Sequence, residues 1–291
     1  MTAATAPANV QVTPVRRASP STRPPLGVAV AMAVVALLVV AAFFPALLTP
    51  YDPLQGQAAD SLQPPSPRHW MGTDQIGRDI FSRVIAGARY SLSLGFGAAA
   101  VSTVGGIIVG TIAGSLRGFA GHVAARTLDV FLAFPEVLLA LITIAVVGPG
   151  QISVILAVGL GSIPGSARLV RSQVLRVRHE DFVRHATELG LSRAQVLFRH
   201  VTPNSLGPAL VTAVLHVGTA IIFGAALSFL GMGAVPPTPE WGLMLSQGRQ
   251  YLSLAPWVGV FPGLFITITV ISVTVTGRWL QQRFVNRRES L

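Results

Sequence analysis

Hydrophobic residues in this chain fall into long runs, not the short alternations of a soluble domain. Six apolar segments stand out: Leu26–Leu48, Ser91–Leu116, Leu128–Val147, Ile152–Leu169, Ala209–Gly231 and Pro256–Thr276. Each is roughly 20 residues long, about what a helix needs to cross some 30 Å of hydrocarbon. The fourth is the shortest and is interrupted by Pro164 and Gly165. The pattern predicts an all-α polytopic membrane protein with six transmembrane helices. Residues 1–25 are rich in Ala, Pro, Ser and Thr and read as a disordered tail. Residues 26–48 form the first span, and residues 49–88 a polar loop whose early prolines (Pro50, Pro53, Pro64, Pro65, Pro67) predict extended chain. Residues 89–277 hold the remaining spans, and 278–291 form a tail.

The most patterned polar stretch is EDFVRHATELGLSRAQVLFRHVTPN, residues 180–204. Phe182, Val183, Ala186 and Leu189 recur at helical spacing and give a first short helix an apolar face. Gly190 sits where a helix ends in a left-handed residue. Ser192 reads as an N-cap with Gln195 as its capping-box partner, and Leu191 and Val196 as the staple of a second helix. Thr202-Pro203 predicts the start of the next membrane helix.

Arginine sorts across the loops. Arg16, Arg17, Arg23, Arg117, Arg126, Arg168, Arg171, Arg176, Arg178, Arg184, Arg193, Arg199, Arg278, Arg283, Arg287 and Arg288 fall on one side. The positive-inside rule makes that side cytoplasmic, with both termini. On the other side Arg68, Arg78, Arg83, Arg89 and Arg249 are balanced by Asp52, Asp60, Asp74, Asp79 and Glu240. Arg16-Arg17 lacks the rest of a twin-arginine signal, and the run that follows is too long for a signal peptide.

Composition narrows the chemistry. The chain is 51% hydrophobic and 11% charged, outside the range of a soluble domain. Its formal charge of +10 follows from topology and does not call for nucleic acid. All 21 basic residues are arginine, so no P-loop is present and any ATP must be hydrolysed by another chain. Cysteine is absent, and the six histidines show no metal-ligand spacing, so no metal site is expected. No nucleophile elbow or Ser/Lys pair occurs, which leaves an intramembrane enzyme without a catalytic constellation. Two carboxylates fall inside span three. Glu136 is an intramembrane polar group by default suspected of function, in cargo contact, proton transfer or helix–helix hydrogen bonding. Asp129 is spaced for an i,i+3 pair with Arg126. Gly106, Gly110, Gly114 and Gly118 repeat every four residues and predict close helix packing, within the chain or against a partner. Arginine without lysine, with abundant Ala, Gly, Val and Pro, fits a GC-rich bacterial coding sequence.

Together these residues resemble the inner-membrane subunit of a bacterial ABC importer, and more narrowly the C-type permease of the dipeptide/oligopeptide (and nickel) uptake family. The polar stretch is similar to that family's Glu-Ala-Ala, three residues, Gly, nine residues, Ile-x-Leu-Pro signature. Gly190 and Pro203 stand at its glycine and proline, and Arg184, His185 and Ala186 at its first three places. His185 and Thr202 depart from it, as does Arg278 after Gly277, where the family often has an aspartate. Further likeness lies in HWMGTDQIGRDIFSR (69–83), DVFLAFP (129–135), FLGMGAVPPTPEWGLMLSQGR (229–249) and APWVGVFPG (255–263).

The resemblance implies the architecture of a type-I importer permease and a coupling helix that docks on an ATPase. Phe182, Val183, Ala186 and Leu189 would bury in its cleft, with Arg184, Glu188, Arg193 and Arg199 as a polar rim. It further implies a homologous B-type permease as heterodimer partner, two ATPase subunits that bind ATP and Mg, an extracytoplasmic solute-binding protein, and a bacterial cell membrane. This chain itself would bind no cofactor. The outer motifs, with Trp70, Asp74, Arg78, Asp79, Trp241 and Arg249, would either dock the binding protein or pack the outer ends of the spans. Dipeptides or oligopeptides are the expected cargo, with nickel or haem-like compounds as alternatives. A proton-coupled secondary transporter using Glu136 and Asp129 is the competing class; it calls for an internal repeat with broken helices, and none is evident.

Overall fold

The computed structural model describes residues 24–288. The expected disordered tail, with Arg16, Arg17 and Arg23, therefore lies almost wholly outside the described residues. Among those described, helices dominate and the only β-pairing is two isolated bridges, Gly56–Arg78 and Thr73–Asp79.

Among the described residues five helical stretches are long and apolar enough to cross a membrane, and six if a bent pair counts as one span. Helix α1 (Leu26–Phe43) is followed by the outer loop. Helix α2 (Ile80–Ser115) runs 36 residues. It reaches back to Ile80, so the outer loop ends sooner than residue 88 and span two begins well before Ser91. The signal was present in Asp79, whose carboxylate accepts from the Ser82 amide at 2.8 Å as an N-cap. The third span is a corner. Helices α3 (Gly118–Ala133) and α4 (Glu136–Val147) meet at 88°. Pro135 explains the break: it has no amide hydrogen and holds Phe134 in the extended region (φ −82°, ψ 137°).

The fourth span departs from expectation in the opposite sense. Helices α5 (Gln151–Gly161) and α6 (Ile163–Val177) are separated by Ser162 alone and act as one span. Pro164 falls in the first turn of α6, where its missing amide hydrogen costs nothing. Arg168, Arg171 and Arg176, expected in a loop, lie on the later turns of this helix.

Helices α7 (Asp181–Glu188) and α8 (Arg193–Val196) then lead through a π-turn at Leu197–Val201 into α9 (Thr202–Phe229). Helix α10 (Trp241–Gly248) is short and outer, and α11 (Trp257–Arg288) closes the chain.

Helix α2 is the mast. It packs on α6, α9, α5 and α1. The glycine stripe makes this possible. A Cβ at Gly110 would stand 2.7 Å from the Val170 Cβ, and one at Gly114 2.6 Å from a Val174 methyl. At Gly106 it would come 3.0 Å from the Ser166 carbonyl carbon. The stripe therefore seats α6 within the chain. Gly118 is not part of it: it opens α3 at φ +58° with nothing near its missing side chain. Among the described residues four apolar clusters lie along this mast. One joins α1, α2, α9, α10 and α11 around Trp241; a second joins α2, α4, α5 and α9; a third joins α6 to α7, α8 and α9; a small fourth joins α2, α3 and α6.

Gly110→Val should overpack the α2–α6 seam and cost about 1–3 kcal/mol, read as a lower Tm of the detergent-purified chain. Gly165→Ala, whose added methyl meets nothing within 4 Å, should leave Tm unchanged.

Candidate functional site

Two polar assemblies stand at opposite ends of the molecule, and a third polar group stands midway. One is the segment 180–204, expected on the cytoplasmic side. Helix α7 ends in a Schellman motif: Leu191 N–H donates to the Ala186 carbonyl at 3.3 Å and Gly190 N–H to that of Thr187 at 3.0 Å. Gly190 has φ +85°, a left-handed value that glycine adopts at little cost. Ser192 caps α8, accepting from Gln195 N–H at 3.3 Å, while the Gln195 side chain accepts from Ser192 N–H at 2.9 Å. Both ends of the turn are thus held by hydrogen bonds.

Continuity with the membrane takes a form the sequence reading did not expect. Thr202 opens α9 where expected, but without a break in the backbone before it and without capping it. The backbone passes from α8 into α9 through the π-turn, where Thr202 N–H donates to the Leu197 carbonyl. Pro203 has no amide to offer and its ring crowds the preceding turn, so the helix widens there without ending. The result is one helical rod from Arg193 to Phe229.

The apolar face of α7 also divides. Val183 and Ala186 are buried against Val174, Val177, Val196 and Val201 of the same chain, so they brace the segment and do not project from it. Phe182 is 44% and Leu189 81% exposed. Phe198, on the π-turn, joins them at 69%. Sequence periodicity missed Phe198 because a π-turn rotates side chains off the 3.6-residue register. Arg184, His185, Glu188, Gly190, Arg193, Arg199 and Pro203 are all exposed around this patch. Arg184 lies 3.9 Å from Asp181, a surface pair of little energetic weight. Behind the segment, Arg178 donates to the Gly114 carbonyl at 3.1 Å and ties it to the end of α2. Burial, and then the neighbouring Arg117 charge, lowers the Arg178 pKa.

At the outer end, most of the expected docking residues are internal. Asp74, Arg78 and Asp79 are each 3% exposed and Trp241 is fully buried. Asp74 accepts from the Ile76 and Arg78 amides, both at 3.0 Å, and from the Arg78 guanidinium at 2.6 Å. Asp79 caps α2 and pairs with His69 Nδ1 at 2.9 Å. Arg83 spans the two outer motifs, donating to the Pro53 carbonyl at 2.9 Å and the Pro237 carbonyl at 3.3 Å. Trp241 donates from its indole to the Val84 carbonyl at 2.8 Å. It lies against α2 because Gly87 has no side chain; a Cβ there would stand 2.7 Å from the indole nitrogen. Glu240 caps α10, its two oxygens accepting from Gly242 and Leu243 at 2.8 Å each. These buried groups brace the cap and present nothing to a partner. Trp70, stacked on Phe81 and 62% exposed, and Arg249, over the Phe229 ring, remain at the surface.

Midway, the Ser162 hydroxyl donates to Glu136 at the head of α4. Asp129 is not part of this site. It is half exposed, 4.0 Å from Arg126 and 3.8 Å from Arg168. Among the described residues no cluster of three or more His, Cys, Asp or Glu could hold a metal.

Residues 106–290 match the family described as binding-protein-dependent transport system inner membrane component. The chain is 40% identical over 259 residues to a dipeptide transport system permease protein of Alkalihalophilus pseudofirmus, covering 86% of this chain and 84% of that one. It is 41% identical over 256 residues to a glutathione transport system permease protein of Pectobacterium atrosepticum, with 87% and 85% covered. In fold it is similar to the inward-facing methionine ABC transporter MetNI (TM-score 0.56, 18% identity, 69% of this chain and 96% of that one). An amino acid ABC transporter crystallised with histidines is also similar (TM-score 0.54, 13% identity, 70% and 94% covered).

Burial raises the Glu240 carboxyl pKa, against the opposing hydrogen bonds from Gly242 and Leu243. Its stability contribution is therefore present below the ordinary carboxylate range and lost as pH rises through the raised pKa. Tm of the purified chain should fall across that window, and Glu240→Gln should remove this component of the pH dependence.

Proposed function

We propose, since this chain belongs to the family of binding-protein-dependent transport system inner membrane components, that it forms one half of the translocation pathway of an ATP-driven importer for peptide-type cargo. The observation that carries the reading is the rigid cytoplasmic segment. A transporter that takes its energy from a separate ATPase needs a lever between that enzyme and its own helices. Here the capped, glycine-cornered pair α7–α8 exposes Phe182, Leu189 and Phe198 and continues into α9 with no flexible joint. Aromatic anchors ringed by polar groups are what a docking surface requires. Movement of the docked enzyme would be passed along α9 to the middle of the membrane.

The cargo reading rests on the relatives, which are dipeptide and glutathione permeases. Nickel or a haem-like compound in the same assembly is the alternative cargo. A proton-coupled transporter is less well supported, because Asp129 is engaged by arginines and Glu136 by Ser162, with no carboxylate relay among the described residues. The full assembly would comprise a homologous B-type permease, two ATPase subunits that bind ATP and Mg, and an extracytoplasmic solute-binding protein. It would sit in a bacterial cell membrane among its lipids, with both termini of this chain cytoplasmic. Trp70 and Arg249 are the residues through which the outer cap would meet the binding protein.

Pull-down of the tagged chain in mild detergent should recover a second permease and P-loop ATPases. Phe198→Ala should weaken ATPase recovery by about 2 kcal/mol, the scale of a buried aromatic anchor. Gly190→Val puts a β-branched residue at φ +85°, a backbone that costs a side-chain-bearing residue about 1–2 kcal/mol. It should uncouple ATP hydrolysis from uptake while the protein stays in the membrane. Normal ATP-coupled uptake by Gly190→Val would remove the lever from the mechanism. A chain that purifies alone and moves solute on a proton gradient without ATP would replace the whole reading.

A further inference from the structure

We infer that Glu136 receives the ammonium group of a peptide as the cargo crosses the middle of the membrane, an assignment that rests on the peptide-uptake reading. Depth is the first observation. Glu136 opens α4, whose 12 residues lead to its outer end, about 18 Å away at 1.5 Å per residue. Ser162 follows the 11 residues of α5 and lies about 17 Å from the same side. His216 is near the middle of α9, within electrostatic reach of Glu136. Carboxylate and hydroxyl thus meet near the centre of a hydrocarbon layer about 30 Å thick.

The second observation is that the carboxylate is only partly covered. A charge at this depth costs at least about 2.5–3.5 kcal/mol against lipid. Its open side must therefore face a water-filled passage or a partner. Within the chain its hydrogen bond comes from Ser162, and no ion pair engages it among the described residues. A structural tie between α4 and the α5–α6 junction does not need this charge. The same Ser162 hydroxyl has the Val158 carbonyl at 2.9 Å as an alternative acceptor, and a neutral glutamine would serve Ser162 equally well.

The third observation is the space beside it. A cavity of about 40 Å³ lined by Glu136, Val137, Ala140, Val158, Phe223 and Leu227 lies between α4, α5 and α9. That exceeds the roughly 10–15 Å³ that a single water needs, and its walls are apolar. The space therefore suits the organic body of a small cargo, with the Glu136 carboxylate beside it as the group for the cargo's cation. A bare metal ion would need further ligands, and none cluster here among the described residues. Dipeptides and glutathione, the cargo in the relatives' names, share one free α-ammonium group. Because α9 lines this space and is continuous with α8, motion of the cytoplasmic lever would reach the site directly.

The test uses the whole complex in proteoliposomes with its binding protein, and radiolabelled dialanine as probe. Three readouts are taken: uptake, ATP hydrolysis stimulated by loaded binding protein, and recovery of the partner permease. Glu136→Gln keeps the shape and the bond from Ser162 but loses the charge. It should cut uptake at least about tenfold, the scale of losing one charge-assisted hydrogen bond, with hydrolysis and recovery within about twofold of the unaltered complex. Glu136→Asp should restore part of the uptake, and Ser162→Ala should keep most of it. Full uptake by Glu136→Gln overturns the assignment. Loss of the partner permease from Glu136→Gln also overturns it, because the carboxylate then pairs with a cation of that subunit. An unaltered complex that takes up nickel but no dialanine fails the peptide reading itself, and the ammonium assignment with it.

Discussion

Close approach of α2 to α6 is the constraint on which the rest of the molecule hangs. Lipid offers no hydrophobic force to drive helices together, so association depends on backbones that come near enough for dispersion contacts. Gly106, Gly110 and Gly114 provide that by leaving no side chain where Ser166, Val170 and Val174 sit. The seam sets the position of α6, and α6 in turn presents Val170, Val174 and Val177 as the bed on which the cytoplasmic segment rests. Gly87 and Gly224 do the same at other levels of the mast, admitting Trp241 and Leu94.

Stiffness at both ends then becomes intelligible. The outer cap is held by buried charge: Asp74 with Arg78, Asp79 with His69, and Arg83 reaching carbonyls on two separate loops. Groups so deeply buried are costly to break apart, because one partner left alone keeps its desolvation penalty. The opposite end is held by caps and a Schellman turn on an apolar bed. Between these rigid ends lies the softest geometry in the chain: the corner at Pro135 and the junction at Ser162. Broken helices are where rearrangement costs least, since their backbone hydrogen bonds are already incomplete. Glu136 stands at one of these points and its donor Ser162 at another, which places the polar centre of the membrane region where the helices can move.

The sequence alone determined what periodicity, capping and charge bias determine. Long apolar runs demanded membrane helices, because hydrocarbon length is a one-dimensional requirement. Gly190, Ser192 and Gln195 were legible because a left-handed residue and a capping box involve neighbours within a few positions. Local reading quoted Pro135 within a motif but took Leu128–Val147 as one span, and the 88° break there came only with the structure. What only the tertiary structure decided was which side a residue faces when two partners compete for it. Asp74, Arg78, Asp79 and Trp241 could by sequence either dock a partner or pack the ends of the spans; they are buried, Asp74, Arg78 and Asp79 among partners within ten residues and Trp241 on Val84 of α2, far away in sequence. Val183 and Ala186 turned inward because α6 and α9 bring an apolar bed beneath α7, and Phe198 outward because the π-turn resets the helical phase, a shift that follows from Pro203 crowding a continuous helix. Thr202 opens α9 without serving as its cap. Local rules act over four or five residues, whereas burial is set by contacts across the fold, and that difference in range separates what could be read from what had to be seen.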